Sequence, residues 1–252
     1  TRARLSALAG EMALAGGSPR LAVGHFERAL ILSGRARGLR SAHWLCGLGD
    51  AAERLGQTAQ ATEAYEAALE LIADAGALEL AARIYVGLSR LHLGSGEAQA
   101  GVELGELALA LATAVGDPQS VAAARNTLAC HHLAIDDRPA AKRHATIAGD
   151  VGGVNGDELS VGAAANTLGL VALADGETDI AIEEFRRARH AFRLSGNEAG
   201  EARALDNLAG ALVRDGQQDL GMATLTEAVE ILARIGLDGN DIESALWRSG
   251  IW

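Results

Sequence analysis

The sequence contains few of the residues that shape small disulfide-bonded or sheet-based proteins. Of its 252 residues only 3% are aromatic, and it has three prolines and two cysteines. The two cysteines, Cys46 and Cys130, do not make a disulfide framework, and a reducing cytoplasm is the simplest setting for them. Runs of β-branched residues that would predict strands are also missing. These absences exclude a disulfide scaffold and argue against a sheet protein.

Basic residues and long apolar runs are scarce as well. The chain has 22 Lys and Arg against 33 Asp and Glu, a formal net charge of −11, which argues against general affinity for nucleic acid or anionic membranes. No apolar run approaches the roughly 18–20 residues that a membrane span needs. The first residues, TRARLSALAGEMALAGG, lack the apolar core of a signal peptide. We therefore expect a cytoplasmic chain and, without an initiator methionine, a fragment of a longer protein.

What the sequence does contain is a repeat of 40 residues. A leucine recurs at this spacing six times, each is followed by a small residue, and a turn residue comes eight positions after each leucine. The leucines are Leu8, Leu48, Leu88, Leu128, Leu168 and Leu208. The small residues are Ala9, Gly49, Ser89, Ala129, Gly169 and Ala209. The turn residues are Gly16, Gly56, Gly96, Asp136, Gly176 and Gly216.

Each repeat predicts a helical hairpin. It holds two amphipathic stretches of about 15–18 residues on either side of the turn. Small residues are expected where the two helices cross, and a bulkier residue is expected opposite them. That slot contains Phe26, Tyr65, Phe185 and Leu225. Because one hairpin cannot bury its own apolar face, the hairpins are expected to stack into a solenoid.

The repeat resembles the tetratricopeptide repeat (TPR) family. The resemblance rests on Leu48-Gly49 and Leu168-Gly169, on the turn glycine, and on Ala181, Phe185 and Ala188 in the second helix. The unit is longer than the commonest one of about 34 residues, and the added residues fall between repeats, in segments such as VGDPQSVAAARNTLA, VNGDELSVGAAANTLG and SGNEAGEARALDNLA. This longer type is similar to the C-terminal sensor repeats of bacterial signal-transduction ATPases and of antibiotic-regulatory or maltose-activator-like transcriptional regulators. It is also similar to the repeats of eukaryotic spindle-orientation scaffolds.

The resemblance implies an all-α, right-handed superhelical solenoid over residues 1–252. About six hairpins are predicted, followed by a C-terminal capping helix at 237–252 in which Trp247 covers the last repeat. The hairpins are predicted at roughly 1–36, 37–76, 77–116, 117–156, 157–196 and 197–236.

Repeat four departs most from the pattern. Asp136 replaces the turn glycine, Ala145 replaces the aromatic residue, and HATIAGDVGGVNGD is rich in glycine where the second helix should end. Glycine costs a helix interior about 1 kcal/mol relative to alanine. The segment is interpreted either as drift within one repeat or as a flexible joint.

One motif, AARNTLACHHLA at 123–134, has the residue types of a metal site. Successive residues advance by about 100° around a helix, so Cys130, His131 and His132 cannot converge on one ion. Helical metal pairs use i, i+3 or i, i+4 spacing instead. His132 falls in a column that faces the partner helix of its own hairpin. No catalytic set, metal or cofactor is predicted, and the chain is not expected to be an enzyme.

The resemblance implies that the first helix of each hairpin lines a concave groove. Its predicted ligand-binding residues are Arg83, Arg90, Asn126, Cys130, Leu133, Asn166, Leu170, Leu173, Arg203 and Asp206. The leucines and Cys130, with Leu93, form its apolar middle. The asparagines can bond the backbone of an extended peptide, and the arginines can bind carboxylates. Alternatively, Asn126 and Asn166 satisfy polar groups between neighbouring repeats.

These features favour a non-enzymatic protein- or peptide-binding module. The resemblance implies the sensor domain of a larger bacterial transcriptional regulator, with a partner segment or the regulator's own switch domain in the groove. Direct contact with nucleic acid or membrane is not expected. The alternatives are a self-association scaffold that forms homo-oligomers and a small-molecule sensor.

Overall fold

The computed structural model describes residues 2–34 and 38–235. These residues form twelve α-helices, one short 3-10 helix at His92–Gly94 and no strand, so the all-α prediction is confirmed. The predicted capping helix at 237–252 and Trp247 lie outside the described residues.

The helices follow one another in pairs joined by short turns. The chain divides into two compact units between Thr127 and Leu128, and the predicted division into repeats stays a prediction. The helices are α1 (Arg2–Ala15), α2 (Pro19–Leu32), α3 (Leu39–Arg54), α4 (Thr58–Ile72), α5 (Leu78–Leu91), α6 (Ala98–Val115), α7 (Pro118–Ala134), α8 (Arg138–Asn155), α9 (Glu158–Asp175), α10 (Thr178–Leu194), α11 (Glu198–Arg214) and α12 (Gln218–Arg234).

In the first unit, aromatic rings fill the gaps where helices cross. From α1 to α6 each helix packs against the next. Tyr65 of α4 lies between Gly49 of α3 and Gly87 of α5, where a Cβ would come within 2.5 Å and 2.4 Å of its ring carbons. Phe26 of α2 lies in the same way against Gly47, at 2.5 Å. Such distances leave no room for a side chain, so the glycines are required by packing.

The second unit uses the same device. From α8 to α12 each helix again packs on the next. A Cβ at Gly169 of α9 would lie 2.5 Å from the ring of Phe185. A second ring of α10, Phe192, fills the space beside Gly162 and Gly200, at 2.9 Å and 2.6 Å. The predicted pairing of small and bulky residues at helix crossings is therefore confirmed for Tyr65 and Phe185.

Repeat four is helical through its glycine-rich segment. α8 continues past Gly149 and Gly152 and ends at Asn155. Cβ atoms at these two glycines would lie 3.4 Å from Ala164 Cβ and 3.0 Å from Ser160 Cβ of α9. The glycines therefore allow α8 and α9 to approach closely, which is a packing reason for their presence. The flexible joint stays a prediction.

α6 is the one described helix that is long and apolar enough to cross a membrane by length and composition alone. It packs against α5 as the second member of a helix pair. It also carries Glu103 and Glu106, which are exposed.

Candidate functional site

Two predicted binding residues of the first unit, Arg83 and Arg90, lie in a charged cluster on α3 and α5. Its members, here called the charged cluster, are Asp50, Glu53, Arg83 and Arg90. Arg83 Nη2 donates to Asp50 Oδ2 at 2.5 Å. Arg90 binds Glu53 through two parallel bonds of 2.6 Å, from Nε and Nη2 to the two carboxylate oxygens. Both predicted arginines are thus paired with carboxylates of the preceding hairpin.

The hydroxyl of a buried tyrosine, Tyr65, contacts both carboxylates of this cluster. The hydroxyl of Tyr65 donates to Asp50 Oδ1 at 2.7 Å and lies 3.2 Å from Glu53 Oε2. Burial, reinforced by Asp50, raises the pKa of Tyr65 and keeps its hydroxyl protonated. Burial would lower the pKa of Arg90, but the charge and hydrogen bonds of Glu53 outweigh it and hold the guanidinium charged. The ring that separates the helices therefore also positions the surface carboxylates.

Two further groups of the first unit, Arg54 and Cys46, have surroundings that shift their pKa. Arg54 Nη1 donates to the backbone oxygen of Leu14 at 2.9 Å, and burial lowers the pKa of this arginine. Cys46 is fully buried, and burial, followed by the charge of Asp50, raises its pKa to about 12. Leu93, expected in the apolar middle of the groove, lies on the 3-10 helix after α5 and is exposed.

In the second unit the same helix positions are apolar. Leu170 and Leu173 of α9 stand where Asp50 and Glu53 stand three repeats earlier. Both leucines are half-buried and pack on a core cluster that contains Phe185. Leu133 of α7 is also half-buried. Leu170 and Leu173, here called the α9 leucine surface, combine packing with partial exposure.

The polar residues predicted in the same unit as these leucines differ in burial and in their partners. Asn166 is buried and its Oδ1 accepts a hydrogen bond of 2.8 Å from Asn207 Nδ2 of α11. This bond joins neighbouring repeats, as the structural alternative for Asn166 expected. Cys130 Sγ lies 3.6 Å from the hydroxyl of Thr167. Arg203 is exposed, with its guanidinium carbon 5.9 Å from the centre of the Phe192 ring.

Asp206 of α11 and Asn126 are both half-buried. Asn126 belongs to the first unit and Asp206 to the second.

The histidines of the CHH motif point in different directions. His131 is fully buried. The ring of His132 stacks on His144 of α8, with centroids 5.3 Å apart, so the prediction that His132 faces its partner helix is confirmed. Its Nδ1 also lies 3.4 Å from the carboxylate of Asp137. Within 2–34 and 38–235, no group of three His, Cys, Asp or Glu side chains is placed to hold a metal.

Sequence reasoning missed three partners. It did not anticipate that the hydroxyl of Tyr65 reaches Asp50, that Glu53 pairs with Arg90, or that Asn207 bonds Asn166. A signal for the ion pairs was present, because acidic residues of one repeat face arginines in the same or a neighbouring column of the next.

Comparisons with known proteins agree with the fold. The tetratricopeptide repeat family profile matches residues 42–74. No curated protein matches the sequence. Among solved structures, BtubC (BKLC) from P. vanneervenii is 20% identical, with 88% of this chain and 92% of that chain covered and a TM-score of 0.60. A Rap protein complexed with competence and sporulation factor is 13% identical, with 97% and 66% covered and a TM-score of 0.82.

A third structure is a signal transduction ATPase with numerous domains and a tetratricopeptide repeat sensor, from Pyrococcus horikoshii. It is 12% identical, with 98% of this chain and 42% of that chain covered and a TM-score of 0.63. At these identities the likeness is one of fold. Together with the matched repeat at 42–74, the 40-residue period and the paired helices, it shows a fold of the tetratricopeptide-repeat type.

Proposed function

We propose that the chain is a non-enzymatic module that binds a protein or peptide segment and serves as the sensor domain of a larger bacterial regulator. Two relatives in fold support this proposal: a Rap protein whose structure contains competence and sporulation factor, and an ATPase with a tetratricopeptide repeat sensor. The observation that carries it is the α9 leucine surface. Leu170 and Leu173 contribute to the core and still leave apolar area open to a partner.

The α9 leucine surface supplies the apolar anchor of the proposed site. Apolar side chains of a peptide bury area there, at about 25 cal/mol per Å² of apolar surface removed from water. Arg203 is exposed in the same unit and can bind a carboxylate of the peptide. Leu133, Cys130 and Asp206 belong to the same proposal as half-buried residues of this unit.

The charged cluster of the first unit has a different proposed role. Its arginines are already paired, so an acidic partner would have to compete with Asp50 and Glu53 for them. Such exchange changes specificity more than affinity, because the intramolecular pairs are lost as new pairs form. We assign Arg83 and Arg90 the discrimination between acidic and basic partners.

The two asparagines are no longer equivalent candidates. Asn166 is held by Asn207, and removing its side chain leaves the amide of Asn207 without this partner in a buried place. We therefore expect Asn166→Ala to lower the free energy of unfolding by about 1–2 kcal/mol. Asn126 lies in the first unit and is proposed, separately from the α9 leucine surface, to bond a peptide backbone there. Urea denaturation tests the assignment, and an Asn166→Ala variant of wild-type stability that fails to bind peptide would reverse it.

The function is tested by panning a random peptide library on the immobilised chain, followed by calorimetric titration of enriched peptides. We expect Leu173→Ala to weaken the binding of an enriched peptide about five- to thirtyfold, which corresponds to about 1–2 kcal/mol. Val154→Ala is the matched control, because Val154 is 88% exposed on α8 and lies outside the proposed site. Failure to enrich any peptide, or equal affinity for wild type and Leu173→Ala, would contradict the proposal.

The regulator context needs a separate observation. The resemblance to sensor repeats predicts that a nucleotide-binding switch domain precedes these repeats in the full-length gene product. Sequencing the gene upstream of the codon for Thr1 decides this point without affecting the peptide-binding test.

A further inference from the structure

An apolar position recurs on three successive first helices of the second unit. Leu133, Leu173 and Val213 stand 40 residues apart, on α7, α9 and α11. Leu133 and Leu173 are half-buried, and Val213 is 44% exposed. These three residues, here called the apolar row, all belong to the second unit. The row extends the α9 leucine surface to a residue of α11.

Contacts place the members of the row on neighbouring helices. α9 and α11 pack against each other, and Asn207 Nδ2 donates to Asn166 Oδ1 from one to the other at 2.8 Å. Cys130, one turn before Leu133 on α7, has its Sγ 3.6 Å from the hydroxyl oxygen of Thr167 on α9. Packed helices lie about 8–10 Å apart, so each step along the row measures about this distance.

The second helix of each hairpin supports the row. A Cβ at Gly221 of α12 would lie 2.7 Å from Cγ2 of Val213, so the valine packs where the glycine leaves room. Ala181 of α10 is the equivalent of Gly221, and Leu173 packs on the core cluster that contains it. Leu173 and Val213 therefore occupy equivalent places, and each leaves part of its side chain open to a ligand.

The apolar surface around the row is narrow. On α9 it consists of Leu170 and Leu173, which are one turn apart, and the polar residue Asn166 stands one turn before them. On α11 the equivalent of Leu170 is Gly210, so Val213 alone supplies an apolar side chain there. A helical ligand is about 10–12 Å across, whereas this surface spans about one helix turn. It suits a thin chain that presents one side chain at each step.

The length of a step selects the conformation of that chain. In a β-strand, residues on one face are two positions or about 6.6 Å apart, and the residue three positions on points to the opposite face. A polyproline II helix has three residues per turn and rises about 3.1 Å per residue, so every third side chain lies on one side at intervals of about 9 Å. Only the polyproline II spacing matches the distance between packed helices.

A basic residue stands at the α11 end of the row. Arg214 follows Val213 and is exposed, whereas its equivalent on α9 is the exposed Ala174. The carboxylate of the next residue, Asp215, accepts a hydrogen bond of 2.6 Å from Gln217 Nε2. An arginine can bind a carboxylate through two parallel hydrogen bonds. Arg214 therefore favours an acidic group at this end of a ligand.

We propose that the ligand of the second unit is a polyproline II segment with an apolar residue at every third position and an acidic residue at the end that lies over α11. The proposal rests on the peptide-binding function proposed for this unit. The apolar residues contact Leu133, Leu173 and Val213 in turn, and the acidic residue pairs with Arg214. The row thus selects the spacing of the apolar residues, and Arg214 selects the charge.

Calorimetric titration of synthetic peptides into the full 252-residue chain tests the spacing. Three peptides of the same composition carry leucines at every second, every third or every seventh position, with neutral polar residues between them and an aspartate at one end. The seventh-position peptide represents a helical ligand, whose equivalent residues are about 10.5 Å apart. The peptide with leucine at every third position is expected to bind about tenfold more tightly than the other two.

Val213→Ala tests the contact on α11. It should weaken the binding of the third-position peptide about threefold to tenfold, because apolar area buried against the valine is lost. Val229→Ala is the matched control, since Val229 is an exposed valine of α12 outside the row, and it should leave the affinity unchanged. Circular dichroism should show wild-type helicity for both variants.

Arg214→Glu tests the charge. It should weaken the binding of the third-position peptide about fivefold to tenfold and strengthen the binding of the same peptide with lysine in place of aspartate. Arg186→Glu is the matched control, since Arg186 is exposed on α10 and lies outside the row, and it should change neither affinity.

The outcomes separate this proposal from the peptide-binding function. Equal affinity for the three spacings, tightest binding at every second or seventh position, or library peptides that bind while none of the designed peptides does would overturn the polyproline II ligand and leave peptide binding in place. An Arg214→Glu variant with wild-type preference for aspartate over lysine would overturn the acidic end. If neither designed nor library peptides bind, the peptide-binding function is wrong and this proposal falls with it.

Discussion

The second and fifth helix pairs place an aromatic ring at the same repeat position. Charged residues lie next to the ring in the second pair, and leucines lie next to it in the fifth. Tyr65 and Phe185 are three repeats apart, and each ring lies against a glycine of its partner helix, Gly49 or Gly169. Beyond the ring, the hydroxyl of Tyr65 meets Asp50, whereas Phe185 shares a cluster with Leu170, the equivalent of Asp50. Packing thus fixes the ring and the glycine and leaves the surface beyond them free to differ.

The two helix pairs therefore share one backbone arrangement but present different surface residues, charged in the first unit and apolar in the second. In the first unit, carboxylates of α3 are held by the hydroxyl of Tyr65 and by arginines of α5. In the second unit, leucines occupy these places and need no polar partner. Ion pairs at a partly exposed surface add little stability, so under the proposed function the charged version contributes specificity. We infer that the apolar version supplies affinity for a partner.

The largest effect on the free energy of unfolding is expected from disrupting the contact between glycine and aromatic ring that both pairs share. A Cβ at Gly49 or Gly169 would lie 2.5 Å from a ring carbon, and overpacking of this kind costs about 1–3 kcal/mol. Gly49→Ala and Gly169→Ala should therefore each lower the free energy of unfolding in urea, despite the better helix propensity of alanine.

Gly153→Ala is the matched control for both variants. Gly153 lies inside α8, and a Cβ there meets nothing within 4 Å. Alanine should raise the stability by up to about 1 kcal/mol at this position. If Gly49→Ala and Gly169→Ala stabilised the chain as Gly153→Ala does, the packing role of the glycines would be wrong.

A smaller effect is expected from converting the charged version into the apolar one. Tyr65→Phe removes the bond to Asp50 and should lower the free energy of unfolding by about 1 kcal/mol. Asp50→Leu should cost more, about 2 kcal/mol, because Tyr65 and Arg83 both lose a partner. A double-mutant cycle in urea should give a coupling of about 1 kcal/mol between Tyr65 and Asp50.

The reverse exchange in the fifth pair supplies the contrast. Phe185→Tyr places a hydroxyl beside Leu170 and should cost about 1–3 kcal/mol if it finds no acceptor. Adding Leu170→Asp should recover part of this loss. Additive effects on the free energy of unfolding in both pairs would show that the ring and the surface residue are not energetically coupled.

The repeat pattern predicted the shared part of these pairs and missed the part that differs. The period placed Tyr65 and Phe185 opposite small residues because helix crossings depend on backbone geometry and side-chain volume. It also placed Arg83 and Arg90 on the surface of the first helices. It could not pair them with Asp50 and Glu53, since the conformations of long polar side chains depend on neighbours from two helices. For the same reason the bond from Asn207 to Asn166 was not predicted.

The smallest effect concerns a turn in which one repeat departs from the rest. Glycines with positive φ occupy this turn at Gly56, Gly96, Gly176 and Gly216, whereas Asp136 holds a φ of 60° there. The left-handed conformation costs a residue with a Cβ roughly 1–2 kcal/mol, and for aspartate the cost lies near the lower of these values. Asp136→Gly should therefore raise the free energy of unfolding by about 0.5–1 kcal/mol.

Asp136→Ala separates the backbone effect from the loss of charge. Both variants remove the exposed ion pair with Arg138, but alanine keeps the Cβ and lacks the polar side chain that helps aspartate adopt positive φ. Alanine should therefore be less stable than wild type and glycine more stable. A gain in both variants would trace the effect to the removal of the charge, whereas a gain for glycine alone would assign it to the conformation of the turn.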